Sequence, residues 1–145
     1  MDASANKKNI EALLADGHAV QFAPQGWSMY PLITDGRDQV IVVPAKGHKL
    51  RRGDVALYRR DKGILVLHRV WRTGPEGVWF VGDNQKIPEG PLRPEQICGV
   101  MSAVIRNGKT VAVTDPGYRL YSRLWLLARP LRPWLSGIAA RLKRR

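Results

Sequence analysis

Asp61-Lys62-Gly63-Ile64-Leu65-Val66-Leu67-His68-Arg69-Val70 is the stretch whose reading decides the fold. Asp61-Lys62-Gly63 is a hairpin turn signal, and the apolar, β-branched run behind it reads as a strand over residues 64–72. Upstream, residues 54–58 supply its hairpin partner. Downstream, Gly74-Pro75-Glu76-Gly77 turns the chain into another strand at 78–81. Further out the pattern repeats. Residues 19–22 alternate like a strand and stop at Pro24-Gln25-Gly26, and 39–43 form a β-branched strand ended by Pro44. A basic loop covers 47–53. Residues 84–95 hold three prolines and one glycine and read as a loop. Residues 97–105, the Asn107-Gly108 pair and 110–113 make a last hairpin.

The ends differ from this body. Ser4 or Asn6 can cap a short helix through Leu14, closed by Gly17. Beyond Pro116-Gly117 the composition turns to Leu, Trp and Arg at helical spacing, interrupted at Pro130 and Pro133. The expected organisation is a helical segment at 1–17, a mainly β domain at 18–114, and a basic amphipathic helical tail at 115–145.

With 145 residues, 44% hydrophobic and 25% charged, the chain can bury one real core. The single cysteine, Cys98, excludes an internal disulfide and a cysteine-rich metal site, and Ile97 and Val100 mark it as a buried strand thiol. No metal or cofactor is expected. The net charge of +12 attracts polyanions. Its placement narrows the choice: from Tyr118 onward there are seven Arg, one Lys and no acid. No stretch reads as a signal peptide or a membrane span, so the expected location is cytoplasmic or peripheral to a membrane.

Gly26-Trp27-Ser28-Met29-Tyr30-Pro31 sets a serine just after a strand, in a turn bounded by Gly and Pro. Such a turn can expose a hydroxyl on a rigid scaffold, with its own amide aimed at a bound carbonyl. Strand alternation puts Val66, His68 and Val70 on one face, so the imidazole needs a partner there. His18 and His48 lie beside glycines in apparent turns and read as surface residues. Gly82-Asp83-Asn84 ends the next strand, where a carboxylate can fix a histidine tautomer or simply make an Asx turn.

Taken in order, Gly-x-Ser-Met-x-Pro, Gly53-Asp54-Val55, His68-Arg69-Val70, Gly82-Asp83-Asn84 and Gly99-Val100 resemble the signal peptidase I family and its LexA-like relatives, over residues 20 to 105. The resemblance implies a coiled β-sheet domain and a serine peptidase without a cofactor. Ser28 matches the nucleophile and, through its amide, the oxyanion donor. His68 stands where common bacterial members have lysine, as in the Ser-His variety of the endoplasmic reticulum and archaea. Asp83 matches the acid of the Gly-Asp-Asn box. The Ser-His enzymes carry a further acid six residues on, where Glu89 stands here, which leaves Asp83 and Glu89 as candidates for the third member. Gly26 departs from the serine that completes the oxyanion hole in many bacterial members. The resemblance also implies a protein or peptide substrate lying extended between Val20-Gln21-Phe22-Ala23 and the strand holding Val66 and Leu67, with shallow pockets for small side chains.

Family members acting on exported proteins carry a membrane anchor before the nucleophile, whereas the 27 residues before Ser28 are largely polar. The tail is the natural substitute: Tyr118, Leu120, Tyr121, Leu124, Trp125, Leu127, Leu131, Trp134, Leu135 and Ile138 alternate with arginines. That face either packs on its own domain or lies on lipid, with Arg141 to Arg145 able to touch an anionic membrane. A non-catalytic peptidase-fold module, bound to a membrane or partner through this tail, is the rival reading. Self-cleavage of the LexA kind would use Cys98-Gly99, downstream and inside a strand, and is disfavoured. No motif supports nucleic-acid binding. Oligomeric state is open.

Overall fold

The computed structural model describes residues 3–128, with side chains from residue 9 onward. The chain runs α1 (Ala3–Ala15), β1 (Val20–Phe22), β2 (Asp38–Pro44), β3 (Val55–Arg59), β4 (Leu65–Gly74), β5 (Gly77–Val81), β6 (Glu89–Leu92), β7 (Ile97–Arg106), β8 (Lys109–Ala112) and α2 (Pro116–Leu127). The strands form one antiparallel sheet in the order β1-β2-β7-β3-β4-β5-β6, with β8 paired to β7. The described residues are therefore mainly β with two α-helices, as the turn signals and strand alternation indicate.

The central strands are buried on both faces. In β3, Val55 and Leu57 join a cluster with Leu14, Val40, Val42 and Met101, while Ala56 and Tyr58 join Val70, Phe80 and Leu92 on the other side. Full burial of each such aliphatic side chain stabilises the fold by roughly 1.5–3 kcal/mol. Strand β2 is simpler: Asp38, Val40 and Val42 point inward and Gln39 outward. Asp38 fastens the β2–β7 strand pair by accepting from Arg37 and Arg106. Burial opposes its charge, yet these hydrogen bonds prevail and lower its pKa to about 2.

Strand β4 bends. Residues 65–69 pair with β3, and from Arg69 onward β4 pairs with β5 across a register shift between Val70 and Arg72. Strand β7 is the hub, flanked by β2 on one side and by β3, then β8, on the other. At Gly99 the packing leaves no room for a side chain. A Cβ there would collide with the Val42 side chain and lie 2.8 Å from the Val43 carbonyl.

Three expectations need correction. Residues 84–95 are not all loop: Glu89–Leu92 form the edge strand β6, pairing Val78 with Leu92 and Phe80 with Glu89. Pro91 disguised it, because proline is tolerated on an edge where its missing N–H is not needed. Cys98 is half-buried rather than buried, and its thiol faces Glu11 at 3.6 Å. Finally, the apolar face of α2 is not the broad one expected. Its buried residues are Tyr118, Ser122 and Leu126, while Leu120, Leu124 and Leu127 are exposed. The tail residues Leu131, Trp134, Leu135, Ile138 and Arg141 to Arg145 lie outside the described residues. Among the described residues no helix is long and apolar enough to cross a membrane.

Gly99→Ala is expected to lose about 1–3 kcal/mol of stability, because Val42 has no room to yield within the core. Urea unfolding, followed by tryptophan fluorescence, measures it; an unchanged midpoint would show that the strands can separate at no cost.

Candidate active site

The turn bearing Ser28 is set by what its neighbours bury. Met29 and Ile33 are 4% and 2% exposed and hold the turn to the core. Trp27 and Tyr30 remain outside, their rings tilted together at 5.7 Å. They form a rim rather than a brace. The amide of Gly26 donates to Asp35 at 2.8 Å and that of Tyr30 to the Trp27 carbonyl at 3.1 Å. Both are thus occupied within the turn, and the Ser28 amide is the oxyanion donor that the sequence nominates.

The Gly82-Asp83-Asn84 segment clasps this turn. Asn84 donates from its backbone to the Ser28 carbonyl at 2.9 Å and from its side chain to the Trp27 carbonyl at 3.1 Å. The Asp83 amide points at the Met29 sulfur, 3.4 Å away. A Cβ on Gly82 would stand 2.5 Å from the Ser28 carbonyl oxygen, so only glycine permits the approach. The β4–β5 register ends with Arg69 opposite Val81, one residue short of His68 and Gly82. Ser28 meets Gly82 through its carbonyl oxygen, and of the residues around His68 it is Leu67, Val66 and Leu65 that share the cleft with Ser28.

His68 is 3% exposed. Its Nδ1 lies 3.0 Å from the Tyr58 hydroxyl, which in turn donates to the Glu89 carboxylate. Arg60 holds that carboxylate from the other side, its Nε 2.8 Å from Oε2. Tyr58 is fully buried and stacks on Phe80 at 4.4 Å, the residue that pairs with Glu89 across the β5–β6 ladder. Burial is the main influence on the imidazole and lowers its pKa to about 4; Glu89 pulls it upward and Arg60 downward. Neutral imidazole is therefore the form near pH 7. Burial, reinforced by Glu89, raises the Tyr58 pKa well above its ordinary value, so the phenol keeps its proton. His68 makes this hydrogen bond through Nδ1 and none to Ser28 among the described residues. His18 and His48 are exposed, as expected.

The two carboxylates have different surroundings. Asp83 receives two parallel bonds from Arg69, Nε at 2.7 Å and Nη2 at 2.8 Å, with both side chains almost wholly buried. The remaining Arg69 donor reaches the Gly53 carbonyl and the Ser122 hydroxyl, each at 2.8 Å. Burial alone would lower the guanidinium pKa, but the Asp83 carboxylate outweighs it and raises the pKa. The Asp83 carbonyl also accepts from the Trp125 indole at 2.9 Å. Asp83 thus ties β4, α2 and the serine turn together, whereas Glu89 faces His68 through Tyr58.

A cleft of about 660 Å³ opens beside Ser28. Gln21, Phe22, Ala23, Val66 and Leu67 line it, and Val20 turns its side chain into the core. Among the described residues β1 pairs with β2 alone, and residues 65–68 of β4 lie before the first residue paired with β5. Two strand edges therefore border the cleft. Its further walls include the bulky, aliphatic Ile10, Leu13, Ile33, Leu57 and Leu65, beside the polar Asn9 and Gln25.

Tyr58, Arg60, Ile10 and Leu13 were not singled out from the sequence. A signal for Tyr58 exists: the Asp61-Lys62-Gly63 hairpin pairs Ala56 with His68 and Tyr58 with Val66, making Tyr58 the diagonal neighbour of the imidazole. Ile10 and Leu13 reach the cleft only because α1 folds across it. Comparison of the chain with protein-family models and with curated proteins finds no match.

Asp83→Ala is expected to cost about 3–5 kcal/mol, since it strands the Arg69 charge in the core. Glu89→Gln, whose side chain is 37% exposed, should stay within about 1 kcal/mol. Parallel denaturant titrations compare them, and equal losses would contradict the division of labour.

Proposed function

We propose that the protein is a serine endopeptidase of the signal-peptidase/LexA-like type, cleaving an extended segment of a protein or peptide. The observation that carries this reading is Ser28 on the wall of a cleft bordered by two strand edges, with a neutral, buried His68 next in the chain to Leu67, which lines that cleft. The resemblance of the motif series supports it, as does an eight-stranded antiparallel sheet with a bent central strand.

In this reading the substrate adds as a strand between residues 20–23 and 65–68, its backbone bonding to both edges. The cleft walls suit a segment with apolar side chains, bulkier than the small ones that the resemblance implies. His68 Nε2 takes the Ser28 proton as Oγ attacks the scissile carbonyl, and the Ser28 amide receives the oxyanion. The leaving amine takes that proton back as the acyl-enzyme forms, and water later releases the acyl group by the same route. This reading requires the Ser28–His68 hydrogen bond to form in the substrate complex, where catalytic bonds commonly reach their working geometry.

A second observation favours peripheral contact with an anionic membrane. Leu120, Leu124 and Leu127 make an exposed stripe on α2, beside the exposed Arg119 and Arg123. The same stripe is what a non-catalytic, membrane-bound module of this fold would use.

Mass spectrometry of an apolar peptide library incubated with the protein should find cleavage that Ser28→Ala and His68→Ala abolish while remaining folded. Because the base works deprotonated, kcat/KM should hold level from pH 7 to about 5 and fall tenfold per unit below about 4, rather than below 6.5. Cleavage by folded Ser28→Ala sinks the assignment. Co-sedimentation with phosphatidylserine vesicles should drop at least tenfold in a Leu120→Ser, Leu124→Ser, Leu127→Ser variant. Equal binding removes the membrane role of α2.

A further inference from the structure

The chain from His68 to Arg60 contains more than an acid and a base. A carboxylate has no proton to give, so the Tyr58 proton must lie on the Glu89 side of the phenol oxygen. The phenol oxygen then offers only lone pairs toward His68, and a hydrogen bond at 3.0 Å requires the proton to sit on Nδ1. In a neutral imidazole that leaves Nε2 bare. Each orientation in the row follows from the one behind it, beginning at Arg60, whose guanidinium donates to the Glu89 carboxylate.

The geometry points to Tyr58 as a positioning residue: it carries the acceptor character of Glu89 to His68 Nδ1 and holds the imidazole in the tautomer whose Nε2 can receive the Ser28 proton. This rests on the peptidase reading for its purpose, though not for its geometry. A carboxylate bonded directly to the imidazole is replaced here by a phenol with a carboxylate behind it. The packing explains why. Glu89 enters from the edge strand β6 and reaches His68 through Tyr58, which stacks on Phe80, while Asp83 is engaged by Arg69. When His68 takes up a proton, the Tyr58 oxygen accepts from the cation and Glu89 balances its charge at one remove. The charged groups facing His68 are then Glu89 and Arg60, which oppose each other, with Tyr58 between them.

Two measurements test this on the full chain labelled with ¹⁵N-histidine. Long-range proton–nitrogen correlation at pH 7, assigned with His18→Gln and His48→Gln, should give His68 a protonated Nδ1 and an unprotonated Nε2. Tyr58→Phe and Glu89→Gln should each move both shifts toward the averaged values of mixed tautomers. Ser28→Ala should leave them as in the wild type, which separates this result from catalysis. The second measurement is the saturating rate of Ser28 phosphonylation by a fluorophosphonate. Tyr58→Phe should lower that rate at least tenfold without changing the half-saturating concentration. A wild-type Nε2–H tautomer, unmoved shifts in Tyr58→Phe, or a rate changed less than twofold would each overturn the proposal. If Tyr58→Phe does not fold, Glu89→Gln supplies both readouts, since its side chain lies partly in solvent. A wild type that is neither labelled nor cleaves peptides, yet shows the expected tautomer, would refute the peptidase reading alone.

Discussion

The buried pair of Arg69 and Asp83 is the constraint on which the rest of the structure depends. Two ions at 0% and 1% side-chain exposure are tolerable only when each donor and acceptor is matched. The matching is what organises the site. The guanidinium bonds Gly53 and Ser122, the Asp83 carbonyl takes the Trp125 indole, and the Asp83 amide meets Met29. One ion pair therefore joins the bent strand β4, helix α2 and the turn that carries Ser28. A hydrophobic replacement could match its stability, but it would not fix these three elements in register.

The bend in β4 is the second condition. Because β3 takes residues 65–69 and β5 begins at Arg69, the same strand is a core element at one end and a cleft border at the other. His68 stands at the changeover. Its side chain turns toward the cluster of Tyr58, Val70 and Phe80, which explains its burial, while its backbone remains in line with the cleft. Burial makes the imidazole a weaker base than a surface histidine and leaves it free of a proton at neutral pH. An acceptor on the ring's far nitrogen is the natural offset to that weakness, and Tyr58 is placed to be one.

Helix α1 has a comparable double role. Leu14 packs into the core, while Ile10 and Leu13 face the cleft. The bulk they add makes the cleft deeper and more apolar than two strand edges alone would be.

Much of the fold was legible in the sequence. Turn pairs and period-two alternation mark seven of the strands to within a residue or two at most ends, because those signals are local consequences of φ/ψ preference and one-sided burial. The Gly-Asp-Asn box and Ser28 turn were legible as places where something happens. The sequence alone singled out Ser28 and His68 as candidates, one in a turn bounded by Gly and Pro and the other within an apolar strand, while His18 and His48 flank glycines. Only tertiary structure decided what surrounds them. Strand β6 was hidden by Pro91, and with it the route by which Glu89 reaches Tyr58. The roles of Asp83 and Glu89 could not be divided in one dimension, because both are acids after the same strand. What separates them is distance in space: one meets a guanidinium in the core, the other a phenol at the sheet edge. A partner chosen by packing leaves no mark on local sequence, and that is where reading residues in order comes to its end.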